Sequence, residues 1–163
     1  MILIVAGSGV FPFTRMLSVA DAIAPRFDQP FVMQDGELRF PARHCKTLGL
    51  VGYRRLMELY REAKLIVSHT SSGPLIYARK FGKPIITLPR RSDLGEAVDD
   101  HQVETAAALK TIPDPSRVTL DGPEGLEDAI RAMLAALAGG LNPSAERREL
   151  DSLQASIREA CLR

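Results

Sequence analysis

Residues 65–102 read LIVSHTSSGPLIYARKFGKPIITLPRRSDLGEAVDDHQ. Leu65, Ile66 and Val67 form an apolar strand that runs into the polar turn from Ser68 to Gly73, and a helix pattern begins directly behind it. The turn's donors therefore gather at a helix N-terminus, which is a place to hold an anion. A second strand, 84–88, delivers Pro89, Arg90 and Arg91, and after a short loop Asp99, Asp100, His101 and Gln102 open the next helix. Two strand ends thus present polar groups on one edge. Open parallel sheets bind ligands in the crevice beyond the carboxyl ends of their strands.

Outward from this stretch, strand and helix signals alternate. Residues 2–6 and 30–34 read as strands, and 48–51 as a further short one. Helical spacing covers 13–24, 53–63, 73–81, 97–109 and 124–138, with Gly139 and Gly140 as a stop. Continuous apolar strands mean a sheet covered on both faces. The alternation predicts an α/β fold, a Rossmann-like parallel sheet flanked by helices with right-handed crossovers. Residues 35–47, with Gly36, Pro41 and scattered charges, are the least readable part.

A chain of 163 residues is one domain, able to bury roughly 70% of the surface its unfolded chain exposes. Its 21 basic and 20 acidic residues give a net charge of +1, which calls for neither nucleic acid nor an anionic bilayer. Residues 1–6 are apolar over only a strand's length and lead into Gly-Ser-Gly, so they read as neither signal peptide nor transmembrane helix. Cys45 and Cys161 make no CxxC pair and suit a reducing compartment; the cytoplasm is the expected location. His44 and Cys45 lack companions at metal spacing, so no metal site is expected.

Each polar group has a plain structural reading beside a functional one. Gly7-Ser8-Gly9 after the first strand offers close backbone approach and free N–H donors, yet it does not complete GxGxxG, and nicotinamide binding is set aside. His69, Ser71, Ser72 and Gly73 can donate to a diphosphate, or be a strand-end histidine with a capping serine. Arg90 has a guanidinium fork suited to phosphate oxygens, against an arginine paired with nearby acids such as Asp93 or Glu96. Asp100, His101 and Gln102 suit sugar hydroxyls, against a capping cluster at a helix start.

The order strand, His, small polar turn, Gly, helix, Gly-Lys-Pro, strand, Pro-Arg, Asp-His-Gln resembles the C-terminal, donor-binding half of family 28 glycosyltransferases. It is most similar to the small single-lobe subunits of two-component enzymes that build polysaccharides and lipid-linked oligosaccharides. The opening strand with Gly7, Ser8, Gly9 and then Phe11-Pro12-Phe13-Thr14-Arg15 resembles their first turn, so the likeness runs from Met1 to about Leu109. The resemblance implies a single GT-B lobe that binds a nucleotide sugar, a UDP-sugar as donor substrate, with no separate cofactor. It implies that His101 and Gln102 face the donor sugar, and that a membrane-anchored acceptor-binding glycosyltransferase subunit recruits the chain to the cytoplasmic face of a membrane. Three positions depart from the pattern: Gly9 replaces a frequent His, Ser71 a Gly, and Tyr77 the Glu that binds ribose hydroxyls. Tyr77 can still bond a ribose, but the nucleoside is left open. No catalytic base is identifiable. Two alternatives stand: a non-catalytic binding or regulatory subunit that kept the fold and lost the donor site, and a nucleotide-sugar isomerase on the same fold, which normally needs both lobes in one chain.

Residues 142–163 form a separate unit after the 1–141 domain. There Leu150, Leu153, Ile157 and Cys161 fall on one helical stripe. The stripe packs on its own domain or, by the resemblance, docks the partner subunit.

Overall fold

In the computed structural model, residues 1–37 and 39–143 are described. The expected amphipathic helix at 144–163 lies outside them. Six strands form one parallel sheet: β1 (Ile2–Val5), β2 (Phe31–Gln34), β3 (Lys46–Thr47), β4 (Leu65–His69), β5 (Ile85–Leu88) and β6 (Arg117–Thr119). Among the described residues five α-helices accompany them: α1 (Thr14–Ile23), α2 (Tyr53–Glu62), α3 (Ser72–Lys80), α4 (His101–Lys110) and α5 (Leu126–Ala138).

The strand order is β3-β2-β1-β4-β5-β6. The chain winds outward from β1 in one direction and from β4 in the other, so the order reverses between them. That reversal opens the crevice in which such sheets hold ligands. Register brings Val5 level with Ser68 and Ser68 level with Thr87, so the turns after β1, β4 and β5 leave the sheet side by side.

Both faces are covered, as continuous apolar strands require. On one, Ile2, Ile4 and Val67 meet Met16 and Ala20 of α1 and Ile130 and Met133 of α5. On the other, Leu3, Val5 and Ile66 meet Met57 and Tyr60 of α2 and Ala78 of α3. Each fully buried Leu or Ile contributes about 1.5–3 kcal/mol, so this double layer fixes the register of the central strands.

Three expectations are corrected. The third strand is Lys46–Thr47 rather than 48–51: Leu48 gives one last bond to Met33, and Gly49, at φ +69, turns the chain away. α4 begins at His101 rather than Ala97, because the Asp100 carboxylate accepts from the Ser92 backbone N–H and holds the preceding residues in a turn. β6 was not anticipated; its short Arg-Val-Thr run is half-buried on the sheet edge and carries little apolar signal.

Candidate functional site

Gly7 leaves β1 at φ +93, a left-handed conformation open to glycine. Gln34 at the end of β2 clamps it from both sides: the Gly7 N–H donates to Gln34 Oε1 at 3.0 Å, and Gln34 Nε2 donates to the Gly7 carbonyl at 3.0 Å. Gly36 also turns at positive φ beside the Gly7 carbonyl. The His69 ring lies over Gly7, so close that a β-carbon there would stand 3.0 Å from His69 Cε1. β1 and β4 therefore meet at the crevice through one glycine and one imidazole.

His69 is held in one tautomer. The Ser68 hydroxyl donates to the Val5 carbonyl at 2.9 Å, leaving its oxygen to accept from Nδ1 at 3.2 Å, so the network assigns the ring proton to Nδ1. Nε2 then accepts from the Ser71 hydroxyl at 2.9 Å. Burial, together with the charge of Arg90, pushes the imidazole pKa down to about 4, so His69 is neutral near pH 7.

With its hydroxyl on His69, Ser71 precedes α3 without capping it. The first helical residues, Ser72 and Gly73, thus keep N–H groups with no side-chain acceptor, while Pro74 has none to offer. Ser72 is exposed, and Ser71 and Gly73 are half-buried. Just before them Thr70 is fully buried, and its Oγ1 has no partner among the described residues. Here the plain reading, a serine N-cap, is absent, and the helix end is open to an anion.

Arg90 has a different position from a phosphate ligand. It is 6% exposed and lies over the Phe13 ring, 4.7 Å from its centre. Nη1 donates to the carbonyls of Phe11, Pro12 and Glu96 at 2.9, 3.2 and 2.8 Å, and Nη2 to that of Ala6 at 2.7 Å. It ties the turn after β1 to the loop after β5. Glu96, which sequence reasoning offered only as a possible arginine partner, locks the same junction: its carboxylate accepts from Arg15 at 3.0 and 2.8 Å and from the Arg91 N–H at 3.1 Å. A cavity of about 180 Å³ opens beside this knot, lined by Gly7, Phe11, Phe13, Phe40 and Arg90. Ser8 is exposed on the turn.

At the start of α4, Gln102 is buried and its Oε1 accepts from the Arg90 N–H at 3.2 Å, which places it on the same junction. His101 is exposed and its Nδ1 bonds the Asp99 carboxylate. Asp100 is exposed and occupied by the Ser92 N–H. Tyr77 packs edge-on against Tyr60 and Tyr53 of α2, with ring centres 5.6 and 6.2 Å away. The site thus gathers Gly7, His69, Ser71, Ser72 and Gly73 around the crevice, with Arg90 and Gln102 behind it and Tyr77 on the α2 side.

Gln34, Asp35 and Asp21 were not anticipated. Asp35, buried, accepts from the Phe40 and Gly49 N–H groups at 2.7 Å each. Burial pushes the Asp21 pKa up, but the N–H groups of Arg43, His44 and Cys45 outweigh it and hold the carboxyl below its usual value. Burial next to that carboxylate pushes the Cys45 thiol up to about 12, so it is not a thiolate. A polar residue closing an apolar run, as in Gln34-Asp35, is the signal that could have marked the first two.

No protein-family model and no curated protein matches the chain. Among solved structures it is similar to the glycotransferase of kitacinnamycin, with TM-score 0.62 and 18% identity over 97% of this chain and 39% of that one. MurG of Acinetobacter baumannii gives TM-score 0.56 and 22% identity over 82% and 40%. The spinosyn rhamnosyltransferase SpnG gives 0.57 and 17% over 93% and 40%. The chain therefore has the fold of one lobe of a GT-B type glycosyltransferase, and it spans about two fifths of the length of these enzymes. The likeness is one of fold, carried by the parallel sheet and its helices. Among the described residues, no helix is long and apolar enough to cross a membrane.

Proposed function

We propose that this chain is the donor-binding subunit of a nucleotide-sugar-dependent glycosyltransferase, with a UDP-sugar as donor, in polysaccharide or lipid-linked oligosaccharide synthesis. A membrane-anchored subunit supplies the acceptor-binding lobe and recruits this chain to the cytoplasmic face. The observation that carries the reading is the start of α3, uncapped by any side chain, directly after a neutral His69 whose ring lies over Gly7 at the β1/β4 switch point.

In the reaction, the acceptor hydroxyl oxygen bonds to the anomeric carbon while that carbon's bond to the diphosphate breaks. The departing diphosphate gains negative charge, and fixed N–H donors at a helix start stabilise it without reorganising. Ser71 is able to turn from His69 to a phosphate oxygen, since one hydroxyl bond is all that holds it. Arg90, Glu96 and Gln102 act as positioning residues that keep the turns after β1 and β5 in place. The base that takes the acceptor proton belongs to the partner lobe, and no cofactor is needed.

A second reading, a subunit that kept the fold and lost the donor site, is favoured by Tyr77: its ring is committed to Tyr53 and Tyr60, where a ribose-binding carboxylate would have to project. SpnG was solved with thymidine diphosphate, so that nucleotide is a fair competitor to UDP. Calorimetric titration with UDP, dTDP and GDP and their sugars decides. Weak binding, with UDP preferred and weakened by His69→Ala, supports the donor site. Absence of binding at millimolar nucleotide supports the second reading.

A further inference from the structure

The near-neutral total hides a segregation of charge. From Tyr53 to Lys83, spanning α2, β4, α3 and the link to β5, seven basic residues face two acidic ones, a net of +5. From Pro84 to Arg131, five basic residues face ten acidic ones, a net of −5. α2 and α3 lie together on one face of the sheet, and Arg54, Arg55, Arg61, Lys64 and Arg79 are exposed.

Helix-dipole complementarity explains only part of this. Arg61, Arg79 and Lys80 sit in last turns, where cations are favoured, but Arg54 and Arg55 occupy the first turn of α2, which holds no acidic residue. Cations there oppose the helix's own field; Arg55 is paired with Glu58 and Glu62 of the same helix at 3.0 and 3.5 Å, which leaves Arg54 as the one that local helix stability does not account for. Exposed apolar side chains lie among them: Tyr53 at 63%, Ile76 at 60% and Leu50 at 51%. Arg61 and Lys80 both reach over the Phe81 ring, 5.2 and 5.8 Å from its centre, which gathers their charge at the other end of the layer.

We propose that the α2–α3 face is a membrane-surface contact that binds anionic phospholipid headgroups directly. A helical layer with basic residues and scattered aromatic and aliphatic side chains is what an anionic interface attracts, through charge and through shallow burial of apolar groups. Nucleic acid would be served by the charge but not by Ile76 and Leu50. This inference is independent of the donor site, and nucleotide binding and vesicle binding fail separately.

The test is flotation of the full chain with phosphatidylcholine vesicles, with and without about a third phosphatidylglycerol, at low and physiological salt. The chain should float only with the anionic vesicles, and less at higher salt because charge is screened. Arg54→Glu/Arg79→Glu should lower partitioning about tenfold or more. Arg43→Glu/Arg131→Glu, exposed substitutions with the same charge change on the α1–α5 side of the sheet, should change it less than about twofold. Circular dichroism checks that both variants fold, and Tyr53→Ser/Ile76→Ser, which leaves charge intact, should also weaken binding. No flotation with anionic vesicles overturns the proposal. So does equal loss in the two charge variants, or tighter binding to a DNA or RNA duplex than to the vesicles.

Discussion

Replacing Arg90 with methionine removes the knot behind the site while keeping an unbranched apolar stem in its place. Four bonds of 2.7–3.2 Å from a guanidinium to backbone carbonyls are lost, together with the stack on Phe13. Bonds from a charged donor are worth about 1.5–3 kcal/mol each, but the buried charge carries its own desolvation cost, and burial already lowers the Arg90 pKa. The net loss is about 3–5 kcal/mol, in the range for breaking a buried ionic network. For a domain stable by about 5–15 kcal/mol, the variant stays folded but moves its urea midpoint down by about 2 M. Arg90→Lys keeps the charge but lacks the fork to reach all four carbonyls, and should recover less than half of the loss. Urea denaturation followed by circular dichroism reads both. A cost under about 1 kcal/mol in both variants, with nucleotide binding abolished, refutes the argument and makes Arg90 a direct phosphate ligand.

Other outcomes follow from the same geometry. His69 has its folded pKa depressed to about 4 from 6.5, so its contribution is complete above pH 6.5 and is lost as pH falls from 6.5 to 4, where the unfolded chain binds the extra proton. The loss should reach about 2–3 kcal/mol and vanish in His69→Gln, read from urea midpoints across that window. Gly7→Ala must adopt φ +93 and press a β-carbon to 3.0 Å from the His69 ring. It should cost about 1–3 kcal/mol and displace the imidazole, visible as a shifted His69 resonance in the NMR spectrum. Asp21→Asn leaves the N–H groups of 43–45 with a weaker acceptor and should lower stability by about 2 kcal/mol in thermal melts, with no effect on nucleotide affinity.

The four strands that run into the crevice, β1, β2, β4 and β5, were legible because burial on both faces makes their sequences continuously apolar. β6 was not, because an edge strand with half-buried Arg117 and Thr119 lacks that pattern. β3 was misplaced by the apolar Leu48-Gly49-Leu50-Val51 run, whose Gly49 at positive φ ends the pairing instead of carrying it. At the site, His69, Ser71 and Gly7 were readable as polar or glycine residues closing an apolar strand. What they do was less so. That Ser71 bonds His69 and leaves α3 uncapped depends on a side-chain rotamer, which sequence spacing does not encode. Arg90 reads as a phosphate ligand in a Pro-Arg-Arg loop, but its acceptors, Phe11, Pro12 and Ala6, lie about eighty residues away, beyond any local pattern. The pairing of Arg15 with Glu96 is hidden for the same reason.

The central claim is that the crevice between β1 and β4 holds a nucleoside diphosphate against the open start of α3. Titrating the isotopically labelled full chain with UDP and following backbone amide resonances tests it residue by residue. The account predicts saturable shifts, with weak affinity because one lobe supplies only half of the cleft's contacts, concentrated on Gly7, His69, Ser72 and Gly73. An unchanged spectrum at millimolar UDP, dTDP and GDP, or shifts centred away from that crevice, would contradict it.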